Sequence, residues 1–309
     1  MPETRRYLGW TIDYSQPAGE PALLAPDSVH WRVYKNPIAL GVGGVCAVLL
    51  EFADPRIRSG VWDHSTYKVD PIGRSRRTGI AALVGVYGPQ SAARRVIQGV
   101  TNMHARVSGE TPAGAPYRAL DPDLLDWVSA TAAYGFLNAY DRFVSPVSAA
   151  DKARFYAEGE PVARLYGVQT CPRSPADFEA MTNARLLGFE PHAIVGEFLQ
   201  IIQSGKAAPG VPKFLHRSLA RASVSLLPPA VRERLGLGAE FDLSLPETLL
   251  LKAAGRLADR IAAPGSAPVE ASRRLGLPGD FLYRSPADQA RLLAVRAASA
   301  PTTVAPQGS

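Results

Sequence analysis

The segment 37–52, PIALGVGGVCAVLLEF, is the most apolar run in the chain and sets the firmest limit on its fold. It is sixteen residues long, short of the ~20 that a helix needs to cross a bilayer, and Gly41, Gly43 and Gly44 lie inside it. The run is expected to form a helix buried in a protein core, and no integral membrane span is expected. The remaining sequence can supply that core. The chain has 309 residues, 46% of them apolar and 20% charged, which is ordinary globular usage and excludes disorder, collagen and coiled coil. Arg5-Arg6 is followed by 7–16 (YLGWTIDYSQ), which has neither an apolar h-region nor a small-residue cleavage site, so export is not expected. With only Cys46 and Cys171 there is no disulfide framework and no CxxC site, and a cytoplasmic location fits best. The charge surplus, 34 − 28 = +6, is spread without a block of five like charges, so no nucleic-acid partner is expected.

Helix signals recur along the chain. Ser28 is placed to cap a helix that takes in 30–34, and 74–87 (RSRRTGIAALVGVY) stops at Gly88-Pro89. The next helix is expected to run to about Val107, because Ala93, Ile97, Val100, Met103, His104 and Val107 recur at three- and four-residue steps; Gly109 is its stop. Asp121-Pro122-Asp123 precedes a helix over 124–143, and further helices are expected over 151–166, 176–187, 191–203, 212–226, 229–235 and 246–262. The stretch 55–73 shows no clean periodicity. Alternating Val/Ile/Thr runs bounded by hairpin turns are missing, so the expected class is all-α. The division is an N-terminal arm over 1–27, a single large helical domain over 28–262, a C-terminal extension over 263–299 after the break APGS, and a flexible tail over 300–309. One short helix, about 287–297, is expected in the extension.

Familiar catalytic motifs are missing. There is no HExxH, P-loop or GxSxG, and Gly41-Val42-Gly43-Gly44 lacks the strand and spacing of a dinucleotide fingerprint. Five histidines are present and none is closely paired with another histidine or a cysteine, which argues against a zinc site. His104 continues an apolar stripe. It reads either as a core histidine bonded to a carbonyl or as an axial ligand to haem iron, which needs one nitrogen donor and greasy walls. Arg74, Arg77 and Thr78 share a helix face, either as a solvated basic turn or as groups reaching into a pocket at the edge of an apolar segment. Asp63-His64-Ser65 reads as a turn or as a second polar group of a pocket.

Three segments carry a resemblance: 60–78 (GVWDHSTYKVDPIGRSRRT), 87–109 (YGPQSAARRVIQGVTNMHARVSG) and 116–143 (PYRALDPDLLDWVSATAAYGFLNAYDRF). Together they resemble the MpaB/rubber-oxygenase catalytic domain, over roughly 28–237. The resemblance implies an all-α fold with a globin-like core and a b-type haem, with dioxygen as co-substrate and a small apolar organic molecule as substrate. It makes His104 the proximal iron ligand, Arg74 the distal arginine and Thr78 the distal threonine; His64 is a further candidate for the haem pocket. Arg77 stands where latex-clearing members carry a lysine that can cap the iron. Arginine is never deprotonated and is a poor ligand, so an open or water-ligated distal site is implied, with Arg74 and Arg77 stabilising charge on oxygen. Asp54 stands where the family commonly has histidine. The leading reading is a haem-dependent oxygenase, and the alternative is a haem-binding sensor or carrier without turnover. A third is a scaffold that has lost the cofactor. Oligomeric state has no signature in the sequence.

Overall fold

The computed structural model describes residues 6–7, 10–67, 69–206 and 212–299; the expected tail over 300–309 lies outside the described residues, as do 1–5 and 8–9 of the arm. The order is β1 (Arg6–Tyr7), β2 (Trp10–Thr11), α1 (Val29–Tyr34), α2 (Pro37–Ala53), α3 (Pro55–His64), α4 (Pro71–Tyr87), α5 (Gln90–His104), β3 (Ser108–Glu110) and β4 (Pro116–Arg118). Then follow α6 (Pro122–Phe143), α7 (Ala149–Leu165), α8 (Pro175–Arg185), α9 (Ala193–Gln203), α10 (Lys213–Ser225), α11 (Pro229–Arg234), α12 (Leu245–Ala258), α13 (Ala267–Arg274) and α14 (Pro286–Ser299). Among the described residues the protein is all-α apart from two small antiparallel hairpins, β1–β2 and β3–β4.

The apolar run 37–52 is indeed a core helix. Asn36 caps α2 by accepting from the amides of Ile38 and Ala39, and Pro37 occupies the first turn, where a missing N–H costs nothing. Its main partner is α6, and the two helices meet backbone to backbone. A Cβ added to Gly43 would lie 2.8 Å from the Gly135 carbonyl oxygen, and one added to Gly135 would lie 2.4 Å from the Gly43 oxygen. No side chain fits between them. The Trp127 indole donates to Leu50 O (3.2 Å), Ser223 of α10 donates to Val42 O (3.0 Å), and the Asn36 amide donates to Gly255 O of α12 (2.9 Å). Thus α2 is gripped along its length, and Phe52, Trp127, Phe143, Phe178 and Phe198 fill the core around it. No helix among the described residues is long and apolar enough to cross a membrane.

Several boundaries depart from the sequence expectations. The segment 55–73, which lacked a period, contains α3, set at 112° to α2. Asp54 explains this bend: it is buried, its side chain accepts from the Arg56 amide, and Pro55 opens the new helix. Helix α5 stops at His104 instead of Val107, because Val107 N–H turns back to His104 O (2.9 Å) and the chain enters β3. Within 263–299 an additional helix, α13, packs on α4. Its Arg274 is buried and donates to the carbonyls of Tyr14 (2.6 Å), Glu20 (2.8 Å) and Tyr87 (2.8 Å), tying the arm to the end of α4.

The α2–α6 crossing makes glycine substitutions at and away from the contact differ in sign. Gly135→Ala should destabilise by about 1–3 kcal/mol through overpacking, whereas Gly41→Ala, at an exposed α2 position with nothing within 4 Å, should be neutral or stabilising by up to about 1 kcal/mol. Urea denaturation of both variants checks this, and equal losses at the two sites would contradict the crossing.

Candidate functional site

Helix α4 has two unlike faces. Ile80, Val84 and Tyr87 are buried in the core, while Arg74, Thr78, Ala81 and Gly85, at steps of four, three and four, line the other side. Asp70 caps the helix through its side chain, which accepts from the Gly73 amide (2.8 Å). Gly85 is buried, yet nothing stands within 4 Å of where its Cβ would be. The small-residue face of α4 therefore borders space that protein atoms do not fill. On α2, Val45, Val48 and Glu51 are likewise only partly buried.

Arg74 is the electrostatic centre of the region. Its guanidinium donates to the Thr78 hydroxyl, which in turn donates to Arg74 O (3.1 Å), and it forms no ion pair with any carboxylate among the described residues. Its charge is felt by four groups on four other segments. The Glu51 carboxyl is pushed up to about 7 by burial, against the opposing pull of Arg74 and of the hydrogen bond from Thr131 (3.4 Å). The His104 imidazole is pushed down, first by burial and then by Arg74, so that it is neutral at pH 7. The Tyr7 and Tyr67 phenols are raised by burial, and Arg74 works against both shifts.

His104 ends α5 and is half-buried, with no hydrogen-bond partner for its ring among the described residues. The hairpin after it fixes its place. β3 and β4 pair through Ser108–Arg118, Gly109–Tyr117 and Glu110–Pro116, and Tyr117 packs so closely that a Cβ on Gly109 would lie 2.7 Å from its hydroxyl. The same ring covers Gly60 of α3, so the end of α5 is pinned against α3.

The other expected site residues lie apart from this group. Arg77 is turned toward the start of α4, where it donates to the Thr66 hydroxyl (2.6 Å) and pairs with Asp70 (3.5 Å). His64 is exposed at the end of α3 and meets the Tyr117 hydroxyl at 3.3 Å, with no contact to Arg74 or His104. Asp54 serves as the α3 cap and pairs with Arg56 (2.8 Å). Glu51 was not singled out from the sequence. Its signal was present, since it is the one charged residue within α2.

A separate cleft of about 510 Å³ lies between the start of α3, the β3–β4 turn and α8–α9. Its arginines are already committed: Arg56 to Asp54 and Asp123, Arg58 to Glu190, and Arg185 to Asp123. Among the described residues no group of three or more His, Cys, Asp or Glu side chains is placed to hold a bare metal ion.

No curated protein and no solved structure was found to match the chain. A family model does match, over residues 31–260, which takes in α2, α4, α5 and every residue of the Arg74 group except Tyr7. The chain belongs to the family described as ER-bound oxygenase mpaB/B'/rubber oxygenase, catalytic domain.

Proposed function

We propose that the protein is a haem b-dependent oxygenase that uses dioxygen on a small apolar organic substrate bearing a C=C bond. The observation that carries this reading is the His104 ring: neutral at pH 7, without a hydrogen-bond partner, and set within the electrostatic reach of an uncompensated arginine. Haem suits this donor set, because it brings its own four nitrogens and asks the protein for one imidazole and apolar walls. The unfilled space beside Gly85 and the half-buried Val45, Val48 and Ala81 fit a flat apolar group. When bound, haem supplies the iron that activates dioxygen.

The chain's own residues have distinct tasks in this reading. His104 offers a ring nitrogen as the iron ligand. Arg74 keeps a full positive charge facing the pocket and stabilises negative charge developing there, and Thr78 fixes the orientation of its guanidinium. Glu51, with a carboxyl that titrates at about 7, holds or accepts a proton at neutral pH. Arg77, tied to Asp70, and His64, tied to Tyr117, take no direct part in this reading.

Reconstitution with haem followed by optical spectroscopy tests the reading. A Soret band is expected for the wild-type protein and is lost or displaced in His104→Ala. Arg74→Leu should keep the band while dioxygen consumption with an alkene falls by roughly 10²-fold or more. A wild-type protein without Soret absorption refutes the haem assignment, and haem-loaded protein that never consumes dioxygen returns the sensor or carrier reading.

Glu51 gives a second, cofactor-free test. Its folded value of about 7 lies above the ordinary 4.5, so the folded state binds more protons between these limits and loses stability as pH rises through them. Glu51→Gln should match the wild type below about pH 4.5 and exceed it by on the order of 3 kcal/mol at pH 8. Denaturant titrations of the haem-free proteins at the two pH values measure this, and a pH-independent difference would remove Glu51 from the buried pocket.

A further inference from the structure

Helix α12 carries a water-facing side that is unusually apolar. Leu245, Leu249, Ala253, Arg256, Leu257 and Arg260 are all exposed and follow one another at steps of four, four, three, one and three, which places them on one face. Leu245 is 71% exposed, Leu257 63% and Leu249 59%, and Ile261 (52%) extends the row past the end of the helix. Such a patch is on the order of a few hundred Å², the size at which exposed apolar surface marks an interaction site.

The charges on α12 are sorted by side. Glu247 faces inward, where Ser218, Arg221 and Ser244 hold it, and Asp259 is bound by Lys35 (3.2 Å) and the Tyr140 hydroxyl (3.1 Å). Arg256 and Arg260 point outward among the leucines and make no ion pair among the described residues. The face is thus apolar and purely cationic. A second copy of the same face would set arginine against arginine with no carboxylate to meet either. An anionic headgroup layer supplies the missing charge, and the acyl boundary beneath it accepts the leucines.

We propose that α12 is an interfacial helix that docks the protein on an anionic lipid bilayer, with Leu245, Leu249 and Leu257 inserted below Arg256 and Arg260. The helix, about 21 Å long at 1.5 Å per residue, lies in the plane of the surface. Nothing in this attachment depends on haem or on turnover.

Sedimentation of the full-length protein with sucrose-loaded vesicles tests the proposal. The protein should partition onto phosphatidylcholine vesicles containing phosphatidylglycerol and hardly at all onto phosphatidylcholine alone. Replacing Arg256 and Arg260 together by Gln should weaken partitioning by about tenfold or more, since each cation near an anionic surface contributes roughly fivefold. Leu249→Glu combined with Leu257→Glu should abolish it, with unchanged far-UV circular dichroism confirming the fold. Absence of binding to the anionic vesicles, equal binding to both compositions, or full binding by the leucine variant would each overturn it. A dimer that dissolves in the leucine variant while wild-type vesicle binding is absent would overturn it as well and assign the face to a second copy.

Discussion

The backbone contact between Gly43 and Gly135 governs where everything else in the molecule can stand. With carbonyl oxygens closer to the opposite Cα than any side chain would allow, α2 and α6 approach so tightly that their remaining surfaces turn outward to other helices. One side of α2 receives α10 and α12 through Ser223 and Gly255. The side bearing Val45, Val48 and Glu51 is left only partly covered, and the small-residue face of α4 borders unfilled space as well. The less covered side of α2 and the open space beside Gly85 of α4 are thus what the close crossing leaves elsewhere.

Around Arg74, burial sets the direction of each titratable group's shift, and the arginine's charge adds to it or opposes it. Arg74 lacks a carboxylate partner, so its field is spent on groups that do not touch it: it opposes the burial of Glu51 and reinforces that of His104. The two shifts have opposite consequences. The acid is held near its midpoint at neutral pH, and the imidazole is held neutral with a free lone pair. A direct salt bridge between Arg74 and Glu51 would have quenched both effects.

Much of the helical order was legible because the caps are local. Ser28, Ser148, Ser174 and Ser244 each accept from a backbone amide three residues on, and the prolines at helix starts need no partner from afar. What escaped depends on distant contacts. Helix α3 has Ile57, Arg58, Ser59 and Trp62 buried, a mixed set whose period no hydrophobicity count detects. The periodic residues Met103, His104 and Val107 suggested one continuous helix, whereas pairing with β4 ends it at His104. Of the candidate site, Arg74, Thr78 and His104 could be named from the sequence, and the structure puts the Arg74 guanidinium on Thr78 and its charge within reach of His104. Arg77 was not separable from Arg74 by spacing, because its departure toward Thr66 and Asp70 is set by the loop before α4. Glu51 was hidden by its surroundings, since one acid at the end of an apolar run looks like a terminus and not a pocket.

The Arg274 clamp has a consequence in time. It fastens Tyr14 and Glu20 to the end of α4, yet it lies 260 and 254 residues after them in the chain. At about 5–20 residues per second of synthesis, roughly 13–50 s separate the emergence of the arm from that of its fastener. During that interval α2 and α6 can already cross, whereas the arm is held without Arg274 by its packing and by the start of α5, where Glu20 accepts from the Ser91 amide (2.6 Å) and Pro21 from that of Gln90 (2.8 Å). The three Arg274 bonds are thus among the last contacts of the fold to form.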